Sequence, residues 1–456
     1  MSVPLIGAQV VLSAEEPFTR LDEVRKVAGL DALIIGIRGG EESLAAAAGL
    51  CSQCLAVGIE PILWYPVLAD APGIESPPQH LVLTVDGRRS RGSAGRWAAL
   101  ERVSEKFELL CPNQEEAIRP VEERFEALLD RLPVSGVMLD RIRFPSPANG
   151  FEALLTCFCP ACAERFAVRF GYPLERLRQK ALGVLGEIRA RPGAGAQWAR
   201  RWTGEGSLWQ YPFLRDLGEL RAESIVRLVG RFAGRARRRG LSVGLDLFSP
   251  AIAALVGQDY RRLAEVIAPA SVAPAVPGAD AGAAAPPEAQ PSAGTAGIRW
   301  PREWIKPMLY SRAVGPAALP VELSCLAQGL AALAPDVPVV QLFRLIERAV
   351  GPLAAEWTAL KGPGRLDPEA IAHALSAGFI AHELDSIQSL KLPSEVAVLA
   401  GIEAVTDPEY EIETSPEQMR VACAQARGRA AGIVASWDLR RIPSANLEVL
   451  GNFKRQ

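Results

Sequence analysis

Two sets of side chains in this 456-residue chain have the types and spacing for chemistry. The first is sulfur. Cys157, Cys159 and Cys162 form a C-x-C-x2-C cluster, and Cys111 stands upstream in Phe-Glu-Leu-Leu-Cys-Pro-Asn. Four thiolates suit a closed tetrahedral zinc site, and such tight spacing lets one turn present three sulfurs together. The bland alternative is four buried thiols without a metal, because free cysteine is among the most buried residue types. Three cysteines within six residues favour the metal, with a structural role, since four protein ligands leave no open position for a reacting water. The second set is carboxylate. Asp140, Asp246, Glu403 and Asp438 each stand near the end of an apolar run; Arg141, Arg143 and Trp437 are close to them in sequence, and Lys306 and Tyr310 stand at the end of another run. Opposed carboxyls that give a proton and attack, or activate water, are what cleavage of a glycosidic bond requires. Trp64 and Tyr65 end a further run and offer faces for stacking on a sugar, although burial in the core would explain them equally well. Trp97 is similar. For any single acid the plain alternative is a structural ion pair, with Arg141 or Arg143 as the partner of Asp140.

The apolar runs that must position these groups fall at 6–12, 32–37, 60–67, 136–142, 242–248, 304–310, 396–405 and 432–439. Segments between them, such as 113–131, 214–240 and 416–431, carry helical periodicity with charged faces. Near-continuous apolar strands alternating with helices imply a parallel sheet covered on both faces. Eight such units predict an α/β chain closed into one (β/α)8 barrel, the TIM-barrel architecture, over residues 1–456. Its site lies where the C-terminal ends of the strands open into loops. Insertions are expected after strands four, five and six. The first, at 156–214, contains the cysteine cluster. The second, at 268–297, is rich in Ala, Pro and Gly, poor in large side chains, and reads as a mobile loop. The third, at 315–392, precedes strand seven and is mostly helical, with 339–343 read as an extra strand.

The fourth run, Gly-Val-Met-Leu-Asp-Arg-Ile-Arg-Phe-Pro at 136–145, resembles the strand-four signature of a broad group of barrel glycosyl hydrolases. Ser436-Trp437-Asp438-Leu439 has a similar character. The cysteine set is similar to that of family 42 β-galactosidases, in which one Cys after strand three and a C-x-C-x2-C after strand four hold zinc. The resemblance implies a glycoside hydrolase acting on an oligosaccharide or glycoside. In the larger clan of retaining barrels it implies a strand-seven Glu nucleophile, a position that Glu403 fits, and a strand-four Asn-Glu acid/base. Here Leu139-Asp140 replaces that pair, so Asp140 stands as the second carboxylate or as the nucleophile itself, with Asp246 in reserve. The same departure keeps a second reading open, a non-catalytic saccharide-binding or scaffolding barrel. A hydrolase or lyase of another bond is a third, because the fold hosts many chemistries.

Other features exclude classes. A net charge of −2 gives no field to draw nucleic acid or an anionic membrane. The basic run at 231–240 reads as a solvated helix end. Three histidines make a His-rich metal site improbable, and Cys51-Ser-Gln-Cys54 sits in an apolar helical run with no second pair. There is no Walker or G-x-S-x-G spacing. The N-terminus lacks a cationic signal region and no run spans a membrane, so a reducing, cytoplasmic setting is expected, which favours metal over disulfides.

Overall fold

Strands that are mostly apolar and buried along most of their length close on themselves in the computed structural model. The structure describes residues 3–13, 18–90, 107–190, 212–269, 300–315, 317–335, 337–350, 352–360, 366–408 and 412–456. The proposed stacking residue Trp97, the stretch 191–211 of the first insertion and nearly all of the Ala/Pro/Gly-rich segment lie outside them. The barrel strands are β1 (Leu5–Leu12), β2 (Ala32–Ile37), β3 (Glu60–Pro66), β4 (Gly136–Asp140), β5 (Ser242–Phe248), β6 (Glu303–Met308), β7 (Val396–Glu403) and β8 (Gly432–Ser436). All eight pair in parallel, in sequence order, with β8 returning to β1. This is the (β/α)8 barrel that the sequence predicts. A two-residue antiparallel pair, Thr406–Asp407 with Ile412–Glu413, stands just beyond β7.

The barrel interior is plugged on the side away from the cavity described below. Ile34, Ile62, Met138, Trp300, Trp304, Leu399 and Val434 form one buried cluster there, with the two indoles edge to face at 5.5 Å. Gly244 on β5 makes room for this plug, since a Cβ there would fall 2.1 Å from the Trp304 ring. Helices cover the outside through apolar stripes. The helix Tyr260–Ile267 buries Tyr260, Leu263, Ala264 and Ile267 at helical spacing, and Asp259 caps it by accepting from the Arg262 amide.

Strand ends depart from expectation where chemistry begins. β4 stops at Asp140, two residues early, because Arg141 turns into the left-handed region at φ 53°. That conformation costs a β-carbon-bearing residue about 1–2 kcal/mol. The segment read as an extra strand at 339–343 is instead the start of a helix, Val339–Val350. Its β-branched opening suggests a strand, but Leu342, Phe343, Leu345 and Ile346 are buried at helical spacing, and the helical face wins. Among the described residues no helix is long and apolar enough to cross a membrane.

Candidate functional site

A cavity of about 170 Å³ opens at the C-terminal ends of the strands. Asp140 ends β4, and the register that pairs Leu139 with Leu245 sets it beside Asp246 on β5. Both carboxylates line the cavity, Asp140 at 9% exposure and Asp246 at 1%. Trp64 Nε1 donates to Asp140 Oδ2 at 2.9 Å, and the Arg141 amide donates to Oδ1 at 2.5 Å. The left-handed turn at Arg141 therefore fixes the carboxylate. Arg141 also pairs with Asp70 and lies over the Phe107 ring at 4.4 Å.

Asp246 is tied to a buried cation. The register places Lys306 of β6 opposite it, and Nζ donates to both carboxylate oxygens, at 3.1 and 2.9 Å. Nζ also donates to Gln9 Oε1 and Tyr310 Oη, each at 2.9 Å, and Ser436 Oγ donates to the same Gln9 oxygen. Gly401 leaves the space this chain needs, since a Cβ there would meet Lys306 Cε at 2.6 Å. Burial pushes the Asp246 carboxyl up to about 7, with the Asp140 charge adding to the rise and Lys306 opposing it. For Lys306 burial works the other way, yet Asp246 and Tyr310 hold the ammonium above its ordinary value. Removing one partner of such a pair strands the other. We expect Lys306→Met to cost about 3–5 kcal/mol in denaturant unfolding at pH 8, where Asp246 is ionised; a loss under about 1 kcal/mol there would contradict the pairing.

Glu403 has a different setting. It ends β7 as the sequence suggests, at 3% exposure, but is not among the residues lining the cavity. Its oxygens accept from the amides of Ser311, Arg312 and Ala313 at 3.2, 3.0 and 2.6 Å. The side chain thus ties the loop after β6 to β7. Glu322 does the same for the loop after β4, accepting from Ser146 Oγ, the Ala148 amide and the Ala317 amide.

The remaining sequence candidates divide. Trp64, Arg141, Arg143, Tyr310, Trp437 and Asp438 line the cavity, with Tyr310 and Trp437 edge to face at 5.7 Å. Tyr65 does not. It is buried against Phe125, and its hydroxyl donates to Val121 O at 2.6 Å. Arg440 forks onto Asp438, and Trp437 Nε1 and Arg441 both donate to Asp407. Asp407, Arg440, Arg441, Gln9 and Phe248 are lining residues that the sequence reading did not single out. Gln9 had a signal, as the one polar residue in the run LIGAQVVL.

The four cysteines converge. Cys111, Cys157, Cys159 and Cys162 are all buried, and their sulfurs lie within 4.8 Å of one another. Cys111 Sγ is 3.5 Å from both Cys159 Sγ and Cys162 Sγ. A tetrahedral ion with metal–sulfur bonds of about 2.3 Å sets its sulfurs roughly 3.7 Å apart, so the set can hold a metal ion. The Leu83 amide donates to Cys157 Sγ at 3.2 Å, and Asn113 Nδ2 donates to Cys162 Sγ at 3.1 Å. Such outer donors orient the sulfurs they reach. Cys51 and Cys54 are buried in the helix Glu41–Ala56, away from this group.

No protein-family model and no curated protein matches the chain. Solved structures do. The glycoside hydrolase domain of PgaB (BpsB) from Bordetella bronchiseptica is 13% identical at a TM-score of 0.44, covering 96% of this chain and 94% of that one. A chitinase from Chromobacterium violaceum is 8% identical at 0.38, covering 99% of each. The catalytic domain of a hyperthermophilic chitinase from Pyrococcus furiosus is 9% identical at 0.34, covering 99% and 95%.

Proposed function

We propose that this protein is a glycoside hydrolase whose working carboxylates are Asp140 and Asp246. One observation carries the reading: two acids on adjacent strand ends share a cavity with Trp64, Tyr310 and Trp437. Their surroundings suit different roles, which is how one pair performs acid and base work at the same pH. Asp246, held up to about 7, is the proton donor to the glycosidic oxygen. Asp140, fixed by two N–H donors, faces the anomeric carbon as nucleophile or as base for a water. The aromatic rings give the sugar its platform. Glu403, which the strand-seven position put forward as nucleophile, keeps the loop at 311–313 in place instead.

A pH dependence follows. Activity that needs protonated Asp246 falls as pH rises through about 7, so kcat/KM should show an alkaline limb there. Stability runs the same way. The folded carboxyl binds its proton more tightly than the unfolded one, so this contribution is full below about pH 4 and is lost towards pH 7. Asp246→Asn should remove both trends; an unchanged alkaline limb would remove Asp246 from the acid role.

A second reading has its own support. Every carboxylate lining the cavity holds a partner, Asp140 with Trp64, Asp246 with Lys306, Asp407 with Arg441 and Asp438 with Arg440. A saccharide-binding barrel without turnover would look the same. Wild-type protein assayed on a panel of nitrophenyl glycosides, beside Asp140→Asn and Asp246→Asn, separates the two.

For the cysteine set we propose structural zinc, held by Cys111, Cys157, Cys159 and Cys162. Sulfur donors and four-fold convergence favour zinc, and four protein ligands leave no site for substrate. Such a centre joins the segment before the helix Glu115–Arg131 to the segment after β4. The free thiols fit a reducing, cytoplasmic setting.

A further inference from the structure

The cavity carries more positive than negative side chains. Among the described residues five arginines and four aspartates line it. Arg143 differs from the others. It is 4% exposed, on the loop after β4, and its guanidinium lies 4.8 Å over the Phe248 ring. Nη1 donates to Phe144 O at 3.1 Å and to Asn149 Oδ1 at 3.4 Å. Among the described residues no carboxylate lies within 4.0 Å of it. Glu322, Asp140 and Asp70 act on it only at longer range, and Arg141 opposes them. Nε and Nη2 make no hydrogen bond within the described protein, and Arg143 is among the residues that line the cavity.

Burying a cation without an anion is costly, and burial holds Arg143 down to about 10. A planar guanidinium fork, held flat on a ring, matches a planar carboxylate through two parallel N–H···O bonds. Adjacent hydroxyls of a neutral sugar can accept from the same fork, but only a carboxylate also neutralises the buried charge. We propose that the substrate is an acidic saccharide, carrying a hexuronic-acid residue whose carboxylate seats on Arg143. This rests on the reading of the cavity as a saccharide site and names the class of saccharide it takes.

The test is an NMR titration of the full-length protein with D-glucuronate and D-galacturonate against D-glucose and D-galactose, with glucose 6-sulfate and glucose 6-phosphate as further arms. We expect one uronate to bind at least about tenfold more tightly than its neutral counterpart, the scale of one charge-assisted pair. Arg143→Gln should erase that preference. Arg143→Lys keeps the charge without the fork and should retain only part of it, which serves if the glutamine variant fails to fold by its melting curve. Equal affinity for acid and neutral sugars, no binding of either, or a preference unchanged in both variants overturns the inference. Tighter binding of the sulfate or phosphate ester overturns the carboxylate. Uronate binding with no glycoside cleaved keeps this inference and removes the hydrolase reading, whereas cleavage of neutral glycosides alone does the reverse.

Discussion

Cys157→Ser, or treatment of the reduced protein with a strong zinc chelator, is expected to lower the melting temperature by about 5–10 °C. Structural zinc contributes about 10–16 kcal/mol to the folding of zinc-finger peptides that depend on it. In this larger chain the proposed centre would hold one region, so a smaller share would reach the global transition. That region is nonetheless connected. Asn113 donates to Cys162 Sγ and to Ser224 Oγ, and Arg227 donates to Asn113, joining the cluster to the helix Pro212–Arg238. On the same helix Arg221 reaches Leu154 O and Pro145 O, at the exit of β4. Loosening the sulfurs therefore loosens the backbone that carries Asp140 and Arg143. Elemental analysis should find one zinc per chain. Protein purified under reducing conditions with no metal and an unchanged melting curve would overturn the assignment.

Asp140→Asn is expected to reduce turnover about a thousandfold or more while costing only about 1 kcal/mol of stability. The substitution preserves shape and removes the charge that, in the proposed mechanism, attacks or activates water. One amide atom still accepts from Trp64 Nε1 or from the Arg141 amide, but not both, which accounts for the small stability loss. A melting curve near that of the wild type separates lost chemistry from lost fold.

These particulars show what a sequence carries and where it stops. Strands such as Ala32–Ile37 are apolar throughout, because both faces of a barrel strand are buried, and that is visible without coordinates. The cysteine cluster was equally legible, since local spacing brings three of its four sulfurs together. The partners of the acids were not. Glu403 and Asp246 look alike in sequence, each acid among apolar neighbours, yet one receives three loop amides and the other a lysine from the next strand. Strand register and loop path decide this, and neither leaves a periodic trace. The early end of β4 at Arg141 is hidden for the same reason, because a left-handed arginine depends on the contacts around it. The helix Val339–Val350 shows the opposite failure, in which local β-propensity pointed the wrong way and packing overrode it.

The most direct measurement is the initial rate of hydrolysis across a glycoside panel, neutral and uronic, for wild type, Asp140→Asn, Asp246→Asn and Glu403→Gln at pH 6. We expect the wild type to cleave at least one member, both aspartate variants to fall about a thousandfold or more, and Glu403→Gln to keep the chemistry of any fraction that folds. Near-normal rates in either aspartate variant, selective loss of turnover in a well-folded Glu403→Gln, or a wild type inactive on every member would contradict it.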